Sequence, residues 1–209
     1  MTDRDLTLGL ILDGGLGTRM GGTDKGLLAL GGRPMLAHVV ERLRPQCGAL
    51  ALSANGDPAR FASFGLPVVA DDPAGFAGPL AGLLAGLEFC ARSAPHATRV
   101  ASLAADTPFA PRDFVARLHE ARRAARAEVA VAASGGRTHN VSALWPVGCA
   151  AELRRALKKD GVRMVESFAT RFRLTTVEWP SAPIDPFFNV NTREDLERAE
   201  SMLQRTLGL

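Results

Sequence analysis

Residues 6–12 read LTLGLIL, and from Leu12 to Lys25 the chain continues LDGGLGTRMGGTDK. The first run is apolar, short and β-prone, as a strand buried on both faces should be. The second places Gly14, Gly15, Gly17, Gly21 and Gly22 within nine positions. Glycines at this density let the backbone take positive φ and bring its N–H groups close to an anion. Two basic side chains, Arg19 and Lys25, lie inside the loop. A guanidinium grips phosphate oxygens bidentately and an ammonium acts as a point charge, so the pair suits a polyphosphate. Neither familiar phosphate motif fits. The GxGxxG pattern started at Gly15 and Gly17 would find Met20 at its third glycine, and Lys25 follows Asp24 and precedes Gly26 rather than standing in Gly-Lys-Ser/Thr.

Outward from this stretch, short β-prone runs alternate with longer helical patterns. Strands are predicted at Leu6 to Leu12, Leu50 to Ala54, Pro67 to Ala70, Arg99 to Ala105, Glu128 to Ala133, Val141 to Trp145 and Leu174 to Trp179. Helices are predicted to begin near Pro34, Pro79 and Arg112, then at Ala150 to Lys158, Arg163 to Ala169 and Arg193 to Leu207. Proline suits a first helical turn. The alternation specifies a Rossmann-like, doubly wound α/β fold, with a mostly parallel sheet and helices on both faces. With 209 residues and no linker, repeat or low-complexity tract, the whole chain 1–209 reads as a single domain.

In such a sheet, ligands bind beyond the carboxyl ends of the strands where the strand order reverses. Three strand ends bear carboxylates: Asp13 after the first, Asp71 and Asp72 after the third, Asp106 after the fourth. Asp106, closing the apolar run VASLAAD, is the candidate Mg²⁺ ligand, because a strand terminus fixes its direction and Mg²⁺ takes one or two carboxylates plus substrate phosphates. Between Asp71 and Asp72 the sequence does not choose.

Composition excludes several alternatives. The chain is 46% hydrophobic and 22% charged, with a net charge of +3 and no tyrosine. The basic excess falls in helix-like segments such as Arg117 to Arg126 and Arg154 to Lys159 without interleaved aromatics, which argues against a stacking surface for single-stranded nucleic acid. No run approaches the roughly 18 apolar residues of a membrane span, and the charged start Met-Thr-Asp-Arg-Asp lacks the features of a signal peptide, so the expected location is cytoplasmic. Cys47, Cys90 and Cys149 form no CxxC pair and are expected to be buried thiols. None of His38, His96, His119 and His139 stands in a nucleophile-and-base pattern.

Taken together, LxGGxGxRMGGxDKGLL at 12–28, GPLAGLLAGL at 78–87, LAADTPF at 103–109 and FNVNTREDL at 188–196 resemble the motifs of the molybdenum cofactor guanylyltransferases, the MobA family, nearly along the whole chain. The resemblance implies transfer of GMP from GTP to the phosphate of molybdopterin, with Mg²⁺ as cofactor and pyrophosphate as the second product. It implies an N-terminal nucleotide-binding half and a C-terminal pterin-binding half in a monomer. Molybdoenzymes or their chaperones would receive the product.

Carried over by position, the resemblance assigns Leu12, Asp13, Gly14, Gly15, Lys25, Ser53, Asp71 and Asp106 to the nucleotide, Asp106 also to the metal, and Arg19, Lys25 and Asp106 to catalysis. Asn189 and Asn191 match an NxN pair on the pterin side, and the substrate half begins near Arg137 to Ser142, where His139 is either a structural histidine or a substrate contact. Read without the family, that NxN segment is a turn before the last helix, with Thr192 as N-cap. Two positions depart from the family pattern. Asp13 stands where a small residue is usual, and Ser53 where an asparagine is, with Asn55 two residues on. The same fold also serves cytidylyl transfer to the pterin and nucleotidyl transfer to sugar 1-phosphates, and a GTP-binding module without turnover is a further alternative.

Overall fold

The structure is a computed structural model describing residues 1–13, 16–17, 23–71 and 78–207. Its centre is a seven-stranded sheet of β1 (Thr7–Leu12), β2 (Ala49–Ser53), β3 (Val68–Val69), β4 (Arg99–Ala104), β5 (Val129–Ser134), β6 (Arg137–Pro146) and β7 (Leu174–Trp179). The spatial order is β3-β2-β1-β4-β6-β5-β7. All neighbours are parallel except β6, which runs antiparallel to both β4 and β5.

Alternation along β1 builds two layers. Ile11 faces one side, packing with Leu36, Val39 and Leu43 of α1 (Met35–Leu43) and with Phe114 and Leu118 of α3 (Phe114–Ala124). Leu8, Leu10 and Leu12 face the other, against α2 (Pro79–Ser93), α4 (Ala150–Lys158) and α5 (Val165–Ala169). Every residue of β1 is buried, as expected of a central strand covered on both faces. A third cluster joins Leu30, Met35, Phe109 and Val190 to Ala199 of α6 (Arg193–Leu207). The cysteines are free and buried, as the sequence predicts. No helix among the described residues is long and apolar enough to cross a membrane.

The predicted α/β alternation is observed, with one extension. β6 begins at Arg137 rather than Val141 and turns back on β5 through Gly135 and Gly136, whose φ values of 55° and 74° suit a two-residue hairpin. Within the pair, residues 140–142 are inserted between His139, opposite Ala132, and Ala143, opposite Val131. Such an interruption re-aims the side chains around it. The carbonyl of Val141 is anchored by Ser102 Oγ at 2.5 Å, and Trp145 Nε1 donates to that hydroxyl at 2.9 Å.

Candidate active site

β1 and β4 are adjacent and parallel, but β1 leads on to β2 toward one edge of the sheet and β4 to β5 toward the other, so a crevice opens beyond their carboxyl ends. It holds a cleft of about 380 Å³, lined along one bank by Leu12, Asp13, Ser53 and Asp71 and along the other by residues 137–142. Lys25, Asp106, Asn189 and Asn191 also line it.

Those last four residues come from three distant segments and meet through polar contacts. Lys25 Nζ lies 3.4 Å from Asp106 Oδ2 and donates to Asn191 Oδ1 at 2.6 Å. Asn189 Nδ2 donates to Asp106 Oδ1 at 2.7 Å and to Thr107 Oγ1 at 3.1 Å. The Val190 N–H reaches the Asp106 carbonyl at 3.0 Å, stitching the 189–191 segment to the end of β4. Both asparagines thus sit at the Lys25–Asp106 centre, and Thr192 caps α6 beside them, as the sequence predicts: its Oγ1 accepts from the Asp195 N–H at 3.1 Å.

Asp13 points at the far end of the glycine-rich stretch. Its Oδ1 accepts from the Gly26 N–H at 3.4 Å, while its Oδ2 is buried without a partner among the described residues. Burial, and then the nearby Asp24 and Asp106 carboxylates, raise its pKa to about 6 against the pull of the Gly26 N–H and Arg60. The residue before Lys25 is held as well. Arg60 pairs with Asp24 and also donates to the Asn55 carbonyl at 2.5 Å and the Asp57 carbonyl at 3.0 Å. Both chain neighbours of Lys25 are therefore held by side chains from other elements.

Asp71 sits one strand further out. Ser53 Oγ donates to its Oδ1 at 3.3 Å, and Asn55 closes a ring with it, Nδ2 donating to Asp71 Oδ2 at 3.1 Å and Oδ1 accepting from the Asp71 N–H at 3.0 Å. Asn55 thus supplies an amide beside the Ser53 hydroxyl. Burial raises the Asp71 pKa, opposed by these two donors. Gly82 of α2 permits the approach, since a Cβ there would lie 2.5 Å from Ser53 Oγ and 2.9 Å from Leu12 Cδ2. Gly14, Gly15, Arg19 and Asp72 lie outside the described residues.

On the opposite bank the structure joins His139 to two residues that sequence reasoning missed, Ser134 and Asp185. Ser134 Oγ lies 2.7 Å from His139 Nε2 and donates to Asp185 Oδ1 at 2.7 Å. His139 also stacks on Phe187, with centroids 4.9 Å apart. The Gly-Gly turn was the available signal, because it sets Ser134 opposite Arg137. Nothing in the spacing announces Asp185.

A hard divalent cation fits the centre. Among the described residues no three His, Cys, Asp or Glu side chains form a metal cluster. Mg²⁺ or Mn²⁺ is commonly held by one or two carboxylates together with substrate phosphates and waters, and Asp106 at a strand end, with Asn191 Oδ1 on the adjoining Lys25 ammonium, offers that donor set.

Comparison with known proteins places these features in a family. The model of the MobA-like NTP transferase domain matches residues 9–172. The chain is 55% identical over 205 residues to the molybdenum cofactor guanylyltransferase of Rhodopseudomonas palustris strain HaA2, covering 98% of this chain and 96% of that one. In fold it is similar to molybdopterin-guanine dinucleotide biosynthesis protein A from Archaeoglobus fulgidus, with a TM-score of 0.73 at 23% identity, covering 95% of this chain and 99% of that one. It is also similar to a Mycobacterium tuberculosis H37Rv protein solved in complex with manganese, with a TM-score of 0.67 at 19% identity over 93% of this chain and 98% of that one.

Proposed function

This chain belongs to the MobA-like NTP transferase family, and we propose that it is a cytoplasmic enzyme that transfers GMP from Mg²⁺-bound GTP to the terminal phosphate of molybdopterin. The observation that carries the reading is the convergence of Lys25, Asp106, Asn189 and Asn191 on one point of the cleft at the ends of β1 and β4. In this reading 1–209 is one domain with two binding halves. The nucleoside lies along the Leu12, Asp13, Ser53 and Asp71 bank, the pterin lies along residues 137–142, and the reacting phosphates lie between.

An oxygen of the acceptor phosphate attacks the α-phosphorus of GTP, the bond to the bridging β-phosphate oxygen breaks, and pyrophosphate leaves. The acceptor phosphate is already ionised, so no general base is required. Catalysis is then positioning and electrostatics. Lys25 leaves its contacts with Asp106 and Asn191 to meet phosphate charge, its backbone held by the Arg60–Asp24 and Asp13–Gly26 contacts on either side. Asp106, steadied by Asn189, would hold the cation, which would neutralise charge developing on the phosphates. Arg19 is assigned to the same phosphates by its place in the loop.

The test is pyrophosphate release by purified protein given Mg²⁺, GTP and molybdenum-loaded molybdopterin. Release is expected only when GTP and acceptor are both present. Equal release with CTP would replace the guanylyl reading by a cytidylyl one, and GTP binding without release would leave a binding module.

A further inference from the structure

The Ser134–His139–Asp185 group contains the residue types of a hydrolytic triad but is wired differently. A carboxylate only accepts, and Asp185 Oδ1 already takes the Phe187 N–H at 2.9 Å, so the single Ser134 proton goes to Asp185. The short contact between Ser134 Oγ and His139 Nε2 then requires the imidazole to be the donor. Serine is not activated by histidine here; it is the relay through which Asp185 fixes the histidine tautomer. The lone pair is left on Nδ1.

That nitrogen has no hydrogen-bond partner among the described residues, is not among the buried polar atoms, and belongs to a residue lining the cleft. The ring is clamped by its stack on Phe187, which packs against Trp179 at 5.3 Å and Phe114 at 6.0 Å. Burial lowers the imidazole pKa, and Arg137 lowers it further, against Asp185 and Glu178, which favours an uncharged ring. A rigid, half-buried acceptor of this kind takes an N–H from a ligand.

We propose that His139 Nδ1 reads the N–H edge of the pterin, with Ser134 and Asp185 holding the imidazole in the accepting tautomer. The proposal rests on the guanylyltransferase reading. Guanine and pterin share a 2-amino-4-oxopyrimidine edge, so the chemistry alone suits either. Position favours the acceptor: β6 lies three strand spacings, roughly 14 Å, from β2, where Ser53 and Asp71 close the opposite end of the cleft.

Two variants and one spectrum test it. His139→Phe keeps the stack on Phe187 and loses the acceptor, whereas His139→Asn keeps an oxygen near the Nδ1 position. In the pyrophosphate assay His139→Phe is expected to raise KM for molybdopterin about tenfold, with kcat and the Kd for GTP little changed, and His139→Asn is expected to recover part of that loss. In ¹⁵N NMR of the wild-type protein, the His139 Nδ1 resonance should move on adding molybdopterin and stay in place on adding GTP. A KM in His139→Phe within twofold of wild type overturns the proposal, as does a resonance that moves with GTP alone or with neither ligand. If the wild type releases no pyrophosphate, the guanylyltransferase reading fails instead, and the spectrum still decides whether His139 meets a pterin. If His139→Phe does not fold, the spectrum and His139→Asn carry the decision.

Discussion

Along one bank of the cleft, Asp13 and Asp71 stand just past strand ends and meet groups on neighbouring elements: the Gly26 N–H for Asp13, and Ser53 with Asn55 for Asp71. Along the other, His139 sits inside a strand, and its orientation depends on Ser134 across a hairpin and on Asp185, 51 residues from Ser134. The first bank accepts the cost of buried carboxylates, whose pKa values burial raises. The second carries its acidic group at one remove, behind a hydroxyl, and presents an imidazole. In the proposed reading a polyphosphate passing between them meets Lys25 and Asp106, which the two banks share. The bank proposed for the nucleotide is therefore specified by where strands end, and the bank proposed for the acceptor by how a hairpin and a later segment close over each other.

The largest effect is expected where the banks meet. Lys25→Ala and Asp106→Ala should each lower kcat for pyrophosphate release by about 10²- to 10³-fold, the scale for removing a preorganised charge from a developing transition state. If either variant turned over near the wild-type rate, the shared centre would lie elsewhere and the division into two banks would lose its pivot.

Next comes Asp13, which separates the banks by pH. Its carboxyl has pKa 3.8 in an ordinary setting and about 6 when buried here, so the folded state holds this proton more tightly than the unfolded state. Its contribution therefore favours the fold at low pH and is lost as pH rises from about 4 to about 6. Above that the buried charge costs about 3 kcal/mol. Asp13→Asn is expected to raise stability in urea by about 2–3 kcal/mol at pH 8 and by almost nothing at pH 4. A gain that did not vary with pH would mean that shape rather than charge sets the cost.

Much of the first bank and of the shared centre is legible in the sequence. Asp71 and Asp106 follow from the rule that ligands gather at the carboxyl ends of strands, and Lys25 from the glycine-rich loop; Asp71 lines the cleft, while Asp72 lies outside the described residues. The second bank is less so. Arg-Thr-His-Asn has no apolar alternation, so the sequence predicts β6 only from Val141 and leaves the pairing of His139 with β5 unannounced. Asp185 and Arg60 act across gaps of 51 and 36 residues, to Ser134 and Asp24, where neither period nor motif gives a signal. The pair Asn189 and Asn191 was visible as a motif, but its contacts with Asp106 and Lys25 depend on packing of the final segment.

Two glycines of α2 distinguish crowding from ligand effects. A Cβ at Gly82 would press on Ser53 Oγ at 2.5 Å, and one at Gly86 on Leu10 Cδ2 at 2.2 Å, so both alanine variants should lose about 1–3 kcal/mol in thermal unfolding. Only Gly82→Ala should also weaken GTP binding, because only it displaces the hydroxyl that donates to Asp71. Equal GTP affinities in the two variants would detach Ser53 from the nucleotide bank.

The smallest effect is expected at the segment that joins the banks. Asp195 Oδ2 accepts from the Thr192 N–H at 3.0 Å and the Asn191 N–H at 3.1 Å, while Thr192 Oγ1 accepts from the Asp195 N–H, a reciprocal cap at the start of α6. Thr192→Ala should cost about 1 kcal/mol of stability. Its effect on turnover is expected to be smaller, under about threefold by the scale relating free energy to rate, because the other end of the segment stays fixed by the Val190 N–H and Asn189 on Asp106. Measured together, kcat and Tm of this variant decide what sets Asn191 before Lys25. A fall in kcat far exceeding the loss of stability would mean that α6, rather than the end of β4, positions the junction of the two banks.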